Sequence, residues 1–273
     1  MERNRRIVRL KLDIIFKKMF GDEKNIDTLR SFLSAVLHIP KESITTIKFK
    51  NTDSLPPSYG KKFSVLDLLM TVDGQYVNVE MQMSNEGNFE KRSLFYCSRL
   101  YSSTINSGDD YSSIPRVICI NIVDFDLFDH SGFSSHFEVA ETQRHQRLDG
   151  SFDIYLFELT KIKKQPNVND PTELWLQLIN AETEEELTML ESTNVKDIQK
   201  AVTVLREMSD DERIQEEVYF REKQLHDEAN AINTAIKKGR AQGEQNGIAR
   251  FADEMRKKGY PEEEIQSILN KLI

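Results

Sequence analysis

Residues 63–84 read FSVLDLLMTVDGQYVNVEMQMS, and this stretch decides the fold. Asp73-Gly74 is a preferred pair for the centre of a type I′ turn, and both flanks alternate apolar and polar side chains. Phe63 to Val72 and Gln75 to Ser84 are therefore predicted to be the two strands of a hairpin. A two-residue turn pairs Val72 with Gln75, which sets Asp67 opposite Glu80 and Val65 opposite Gln82. Alternation puts Asp67, Asn78, Glu80 and Gln82 on one face. Leu66, Leu68, Met70, Val77, Val79, Met81 and Met83 fall on the other. That apolar face fixes the register, because a slip of one residue turns every side chain over.

Directly opposed Cβ atoms in a hairpin lie about 4.5–5.5 Å apart, so two ionised carboxylates there repel and one is expected to hold its proton. A divalent cation would remove the repulsion. Carboxylate oxygens completed by water suit Mg²⁺ or Mn²⁺, which activate water and stabilise charge developing on a phosphoryl group. The alternative is a polar sheet face that is simply solvated. Against it, the hairpin's own polar face carries no lysine, and an uncompensated pair held inside a sheet is costly.

Upstream, apolar spacing predicts a helix over residues 5–20 that closes near Gly21, and a second that starts at Ile26 and ends before Pro40. Residues 44–49 are strand-like, and Pro56-Pro57 marks an extended loop. Downstream, Phe89 to Ile105 reads as a helix, Ile114 to Val123 as a strand inside a sheet, and 133–141 and 152–159 as further strands. After Pro166 only helical patterns recur, near 172–180, 183–191, 195–208 and 210–228, with a long polar helix to about 258. The expected organisation is a mixed α/β domain over 1–165, a helical region over 166–230 and a glycine-containing helical tail over 231–273.

In that tail Gly239, Gly243 and Gly247 recur every fourth residue. Charged neighbours exclude a lipid-facing helix. We expect a frayed or conditionally folded helix, since each interior glycine costs about 1 kcal/mol relative to alanine. A homo-oligomer through the C-terminal helices is the alternative.

Net charge is −8, yet residues 1–65 hold 14 basic and 7 acidic side chains while 166–273 hold 14 and 23. A uniformly basic nucleic-acid coat is excluded; a basic front that meets phosphate is not. Cys97 and Cys119 lack a Cys-x-x-Cys partner and are expected to be reduced core thiols of a cytoplasmic protein. No apolar run is long enough to span a bilayer. The five histidines show no zinc spacing, and no phosphate-cradling Gly-x-x-x-x-Gly-Lys is present.

An ordered set of motifs then resembles the PD-(D/E)XK nucleases, and more narrowly the PD-(D/E)XK family transposases, or Rpn recombination-promoting nucleases. It runs through DIIFKKMFG (13–21), VLD (65–67), NVEMQ (78–82), KRSLFY (91–96), GDDY (108–111) and IPRVI (114–118), across roughly residues 8–165. The resemblance implies a restriction-endonuclease-like α/β core followed by an all-helical C-terminal region. It implies a Mg²⁺- or Mn²⁺-dependent DNA endonuclease associated with recombination or transposon-like genes. Carried over by position, Asp67 and Glu80 hold the metal, the Met81 carbonyl adds a ligand, and Asp13 is an auxiliary acid on the first helix. Asp13 could instead pair with Lys17, four residues on. Lys17 would touch DNA or phosphate, and Arg92, Tyr96 and Arg99 would line the cleft. Gln82 stands where most of the superfamily has lysine, although glutamine is usual in the Rpn branch. An amide can orient water or a phosphate oxygen, but it supplies no positive charge. The second expectation is therefore a catalytically weak or inactive nuclease-fold module that binds DNA or protein.

Overall fold

The structure, a computed structural model, describes residues 7–50, 67–85 and 87–270. The Pro56-Pro57 loop, the start of the first hairpin strand and Arg3, Arg5 and Arg6 lie outside the described residues. The chain forms two compact units, the first running to Val218 and the second starting at Tyr219.

The first unit is built on a six-stranded mixed sheet. Its strands are β1 (Ile47–Phe49), β2 (Leu68–Val72), β3 (Gln75–Gln82), β4 (Val117–Val123), β5 (Ser134–Glu138) and β6 (Phe152–Glu158), in the order β1-β2-β3-β4-β6-β5. The β1-β2-β3 meander is antiparallel, β3, β4 and β6 run parallel, and β5 is an antiparallel edge. All seven residues of β4 are buried, as its apolar run predicts for a strand covered on both faces. Asp73 and Gly74 have φ of 48° and 85°, the positive values that a type I′ turn demands. The Asp73 carboxylate also accepts from the backbone of Thr45 and Thr46, at 3.1 and 2.8 Å, so the turn is tied to the segment before β1.

Helices α1 (Asp13–Phe20) and α2 (Ile26–Leu37) precede the sheet, and α3 (Phe89–Ser103) follows the hairpin. The first helix starts at Asp13 rather than near residue 5. Ile7, Val8, Leu10 and Leu12 are all buried; on a helix they would point in widely separated directions, so one face could not bury them together. Helices α4 (Pro171–Asn180) and α6 (Lys196–Asp210) pack on α2 and on each other, and α5 (Glu184–Glu191) packs on both of them. Trp175 of α4 meets Phe20 and Phe32, with ring centroids 6.0 and 5.9 Å apart. The change of pattern at 166 is thus a change of secondary structure inside a compact unit that continues to Val218.

Helix α3 lies on the face of the sheet that carries Asn78 and Cys119. Cys97 and Leu100 pack there against Leu69, Val117, Cys119 and Ile154. This contact corrects the expectation of separate thiols: Cys97 and Cys119 are joined by a disulfide. Their spacing of 22 residues in sequence hides a pairing that only the packing of helix on sheet creates.

Helix α7 (Glu212–Lys257) is continuous through Gly239, Gly243 and Gly247, so the expected fraying is not seen. Strong helix formers between the glycines, among them Ala241, Gln242, Glu244 and Gln245, sustain it. Within the second unit Ala252 and Met255 pack against Ile265, Ile268 and Leu269 of α8 (Glu262–Leu269). Among the described residues no helix is long and apolar enough to cross a membrane.

Candidate active site

The hairpin register is the one the turn dictates: Leu68 pairs with Val79, Met70 with Val77 and Val72 with Gln75. Continued by one residue, it sets Asp67 opposite Glu80. Backbone contacts lock this crossing. The Met81 N–H donates to Asp67 Oδ2 at 2.9 Å, and the Asp67 N–H donates to the Glu80 carboxylate. On its other side Glu80 is in register with Asn121 of β4, itself buried. Asn78, two residues before Glu80 on the same face, donates from Nδ2 to Glu80 Oε1 at 3.0 Å.

Helix α3 packs on this face beside Asn78, which is buried, while Glu80 and Gln82 are half-buried. Burial pushes the Glu80 carboxyl up to about 7, and the negative charge of Asp67 adds to the push. The amide of Asn78, the Asp67 N–H and the charge of Arg92 on α3 oppose it without cancelling it. Asp67 has a different neighbour. Lys17 of α1 places Nζ 3.0 Å from Asp67 Oδ1, with the lysine side chain 36% exposed and the aspartate 13%.

The other residues expected at the site are placed as follows. Gln82 shares the face of Glu80, and its Nε2 donates to the Ser84 carbonyl at 3.0 Å. Asp13 opens the first turn of α1, half-buried, one turn before Lys17. Tyr96 packs against the cluster under α3, in keeping with a core aromatic. Chemically, the crossing offers two carboxylates and an amide oxygen. Asn78 Oδ1 is buried without a hydrogen-bond partner among the described residues. Hard oxygen donors, one of them orphaned, suit a divalent cation such as Mg²⁺ or Mn²⁺.

The PD-(D/E)XK nuclease family transposase profile matches residues 10–235. The chain belongs to this family. No match was found among curated proteins or among solved structures. Membership in the PD-(D/E)XK nuclease transposases supports a nuclease- or transposase-like role, and these nucleases typically use divalent metals.

This PD-(D/E)XK chain carries a second cluster of ligand-type side chains, at the opposite edge of the sheet. His136 and Glu138 of β5 converge with Asp153 of β6. Asp153 is fully buried, yet its carboxylate is saturated. Arg116 Nε reaches Oδ2 at 2.8 Å, Arg147 Nη2 reaches Oδ1 at 2.8 Å, and His136 Nε2 lies 2.7 Å from Oδ1. Burial would raise Asp153, but these donors outweigh it and hold the carboxyl below its ordinary value. Arg147 also pairs with Glu138. Two guanidinium groups already occupy the carboxylates, so a metal cation would meet positive charge there.

Sequence reasoning missed Asn121 beside Glu80, and it gave Lys17 to phosphate or to Asp13 rather than to Asp67. Asn121 had a signal, as the one polar residue in an otherwise apolar strand. The partner of Lys17 had none, because 50 residues separate it from Asp67.

Proposed function

We propose that the chain is a divalent-metal-dependent DNA endonuclease that hydrolyses phosphodiester bonds in a recombination or transposon-like setting. Asp67 and Glu80 would hold Mg²⁺ or Mn²⁺, with Asn78 supporting Glu80 and Asp13 as an auxiliary acid. The ion would supply water activation and stabilisation of charge on the phosphoryl group. Gln82 would orient water through its amide oxygen, or a phosphate oxygen through its second Nε2 hydrogen. The observation that carries the proposal is the Asp67–Glu80 crossing: two opposed carboxylates, one of them driven up to about 7, with an orphaned amide oxygen beside them. Fold stability alone gives no reason to keep such an arrangement.

The alternative, a weakly active or inactive DNA-binding or protein-interaction module, draws on Gln82. That residue is uncharged, and its amide nitrogen is engaged by Ser84. Plasmid cleavage with Mg²⁺, Mn²⁺, Ca²⁺ or EDTA separates the two. Cutting that needs Mg²⁺ or Mn²⁺ and is lost in Asp67→Ala and Glu80→Ala, with DNA binding kept, supports the nuclease. No cutting of supercoiled, nicked or single-stranded DNA by the folded wild type favours the binding module.

A further inference from the structure

Resting on the assignment of Asp67 and Glu80 as metal ligands, we propose that Lys17 is an exchangeable placeholder for the cation: its ammonium holds Asp67 in the metal-free chain, is displaced when the ion binds, and then serves as the positive charge that Gln82 cannot supply to the phosphate.

The crossing holds two carboxylates, and the Lys17 ammonium is in direct contact with one of them, 3.0 Å from Asp67 Oδ1. An ammonium at that distance occupies the side of the carboxylate that a metal would take, so the two compete for one oxygen. Lys17 does not belong to the sheet. It comes from α1, on a flexible four-carbon stem that remains about a third exposed, so release of its head group breaks no packing. Beside it is an open cleft of about 620 Å³, lined also by Lys18, Gly21, Asp22, Met208 and Ile214. Lys18 is already engaged by Glu217 at 3.0 Å.

The second half follows from what β3 lacks. In-line displacement at a phosphodiester builds negative charge on the phosphoryl oxygens, which a nearby cation stabilises. Position 82 offers an amide with its nitrogen bonded to Ser84. A lysine released from Asp67 remains beside the crossing and carries the required charge. Lysine acts on phosphate as a point charge, so no fixed geometry is needed from α1.

The test is calorimetric titration of Mn²⁺ into the full-length wild type, Lys17→Met, Lys17→Gln, Lys17→Arg and Asp67→Ala. Thermal melts identify any variant that fails to fold, and the two neutral replacements guard against losing one of them. Both neutral variants are expected to bind Mn²⁺ on the order of tenfold tighter than wild type once solvent screening is allowed for. At saturating Mn²⁺ they should cleave plasmid roughly a hundredfold more slowly. Lys17→Arg should bind the ion like wild type and keep part of the cleavage. A lysine that merely braced α1 would not give tighter metal binding together with slower cutting. Wild type and neutral variants with equal Mn²⁺ affinity, each lost in Asp67→Ala, would overturn the placeholder role alone. Absence of Mn²⁺ binding in all five proteins would overturn the ligand assignment with it. Unchanged cleavage in the neutral variants at saturating Mn²⁺ would overturn the phosphate role.

Discussion

Acidic groups on two strands of one sheet, β6 and β3, have been given opposite surroundings. Asp153, on β6, is fully buried and receives two arginines and a histidine, and its carboxyl is held low. Glu158, on the same strand, is equally buried. It accepts from the N–H groups of Leu127 and Phe128 and from Lys161 Nζ at 2.8 Å. Glu80, on β3, faces another carboxylate, accepts from the Asn78 amide and the Asp67 N–H, and is pushed up to about 7. The same chain thus neutralises buried acids thoroughly where they serve the fold, and leaves one pair short of positive charge. The contrast argues for function more strongly than proximity does, because the three ligand-type side chains that converge among the described residues, His136, Glu138 and Asp153, are the saturated ones.

The largest effects come from removing one acid from each region. Asp67→Ala is expected to lower metal-dependent cleavage at least about a thousandfold, read by plasmid nicking, while the fold survives. Asp153→Ala should do the reverse. It removes the shared acceptor of Arg116, Arg147 and His136, and because those three side chains keep access to solvent the loss of their hydrogen bonds costs about 1–3 kcal/mol. Urea denaturation would show that loss, with cleavage per folded molecule unchanged. If Asp67→Ala destabilises as strongly as Asp153→Ala, the distinction between the two regions fails.

Acidity gives the next measure, and the signs differ. In the native state Glu80 holds a proton from its ordinary 4.5 up to about 7, a range in which the unfolded chain releases it. The native state therefore binds more protons there, and stability falls as pH rises through that window. Asp153 is held below 3.8, so the stability it contributes is present above that value and is lost as pH falls through its lower native one. Glu80→Gln keeps the shape and removes the buried charge. It should stabilise the protein by about 1–3 kcal/mol at pH 8 and by nothing below pH 4, even as cleavage is lost. Melts across pH 4–8 check this; a Glu80→Gln variant less stable than wild type at pH 8 would show that the carboxylate is compensated after all.

Much of the Glu80 site could be read in the sequence because its determinants are local. Asp73-Gly74, alternation on both flanks and one opposed pair lie within 22 residues, and the hairpin pairs as that stretch dictates. The compensating groups could not be read. Lys17 comes from α1, Asn121 from a parallel strand, and the packing of α3 partly buries a face that reads as open. The Asp153 network was invisible for the same reason, since Arg116, His136 and Arg147 reach it from three separate segments. Ile7, Leu10 and Ile14 recur at helical spacing and so extend the predicted first helix, whereas Val8 and Leu12, off that stripe, are buried as well and the chain turns helical only at Asp13.

The smallest expected effect asks what holds the opposed pair in register. Gly74 has φ of 85° and open space around the position of a Cβ, so Gly74→Ala meets backbone strain but no clash. A residue forced into the left-handed region costs about 1–2 kcal/mol. If the turn alone set the register, that strain would let the strands slip by one residue. Asp67 would then lose Glu80, and Mn²⁺ binding would be lost with it. A slip would also carry Val77, Val79 and Met81 out of the core, at roughly 1.5–3 kcal/mol per large apolar side chain, which exceeds the strain. The apolar face should therefore win. Gly74→Ala is expected to lose about 1–2 kcal/mol of stability in urea and to keep its Mn²⁺ affinity, whereas Val79→Asp, which attacks the apolar face itself, should lose both.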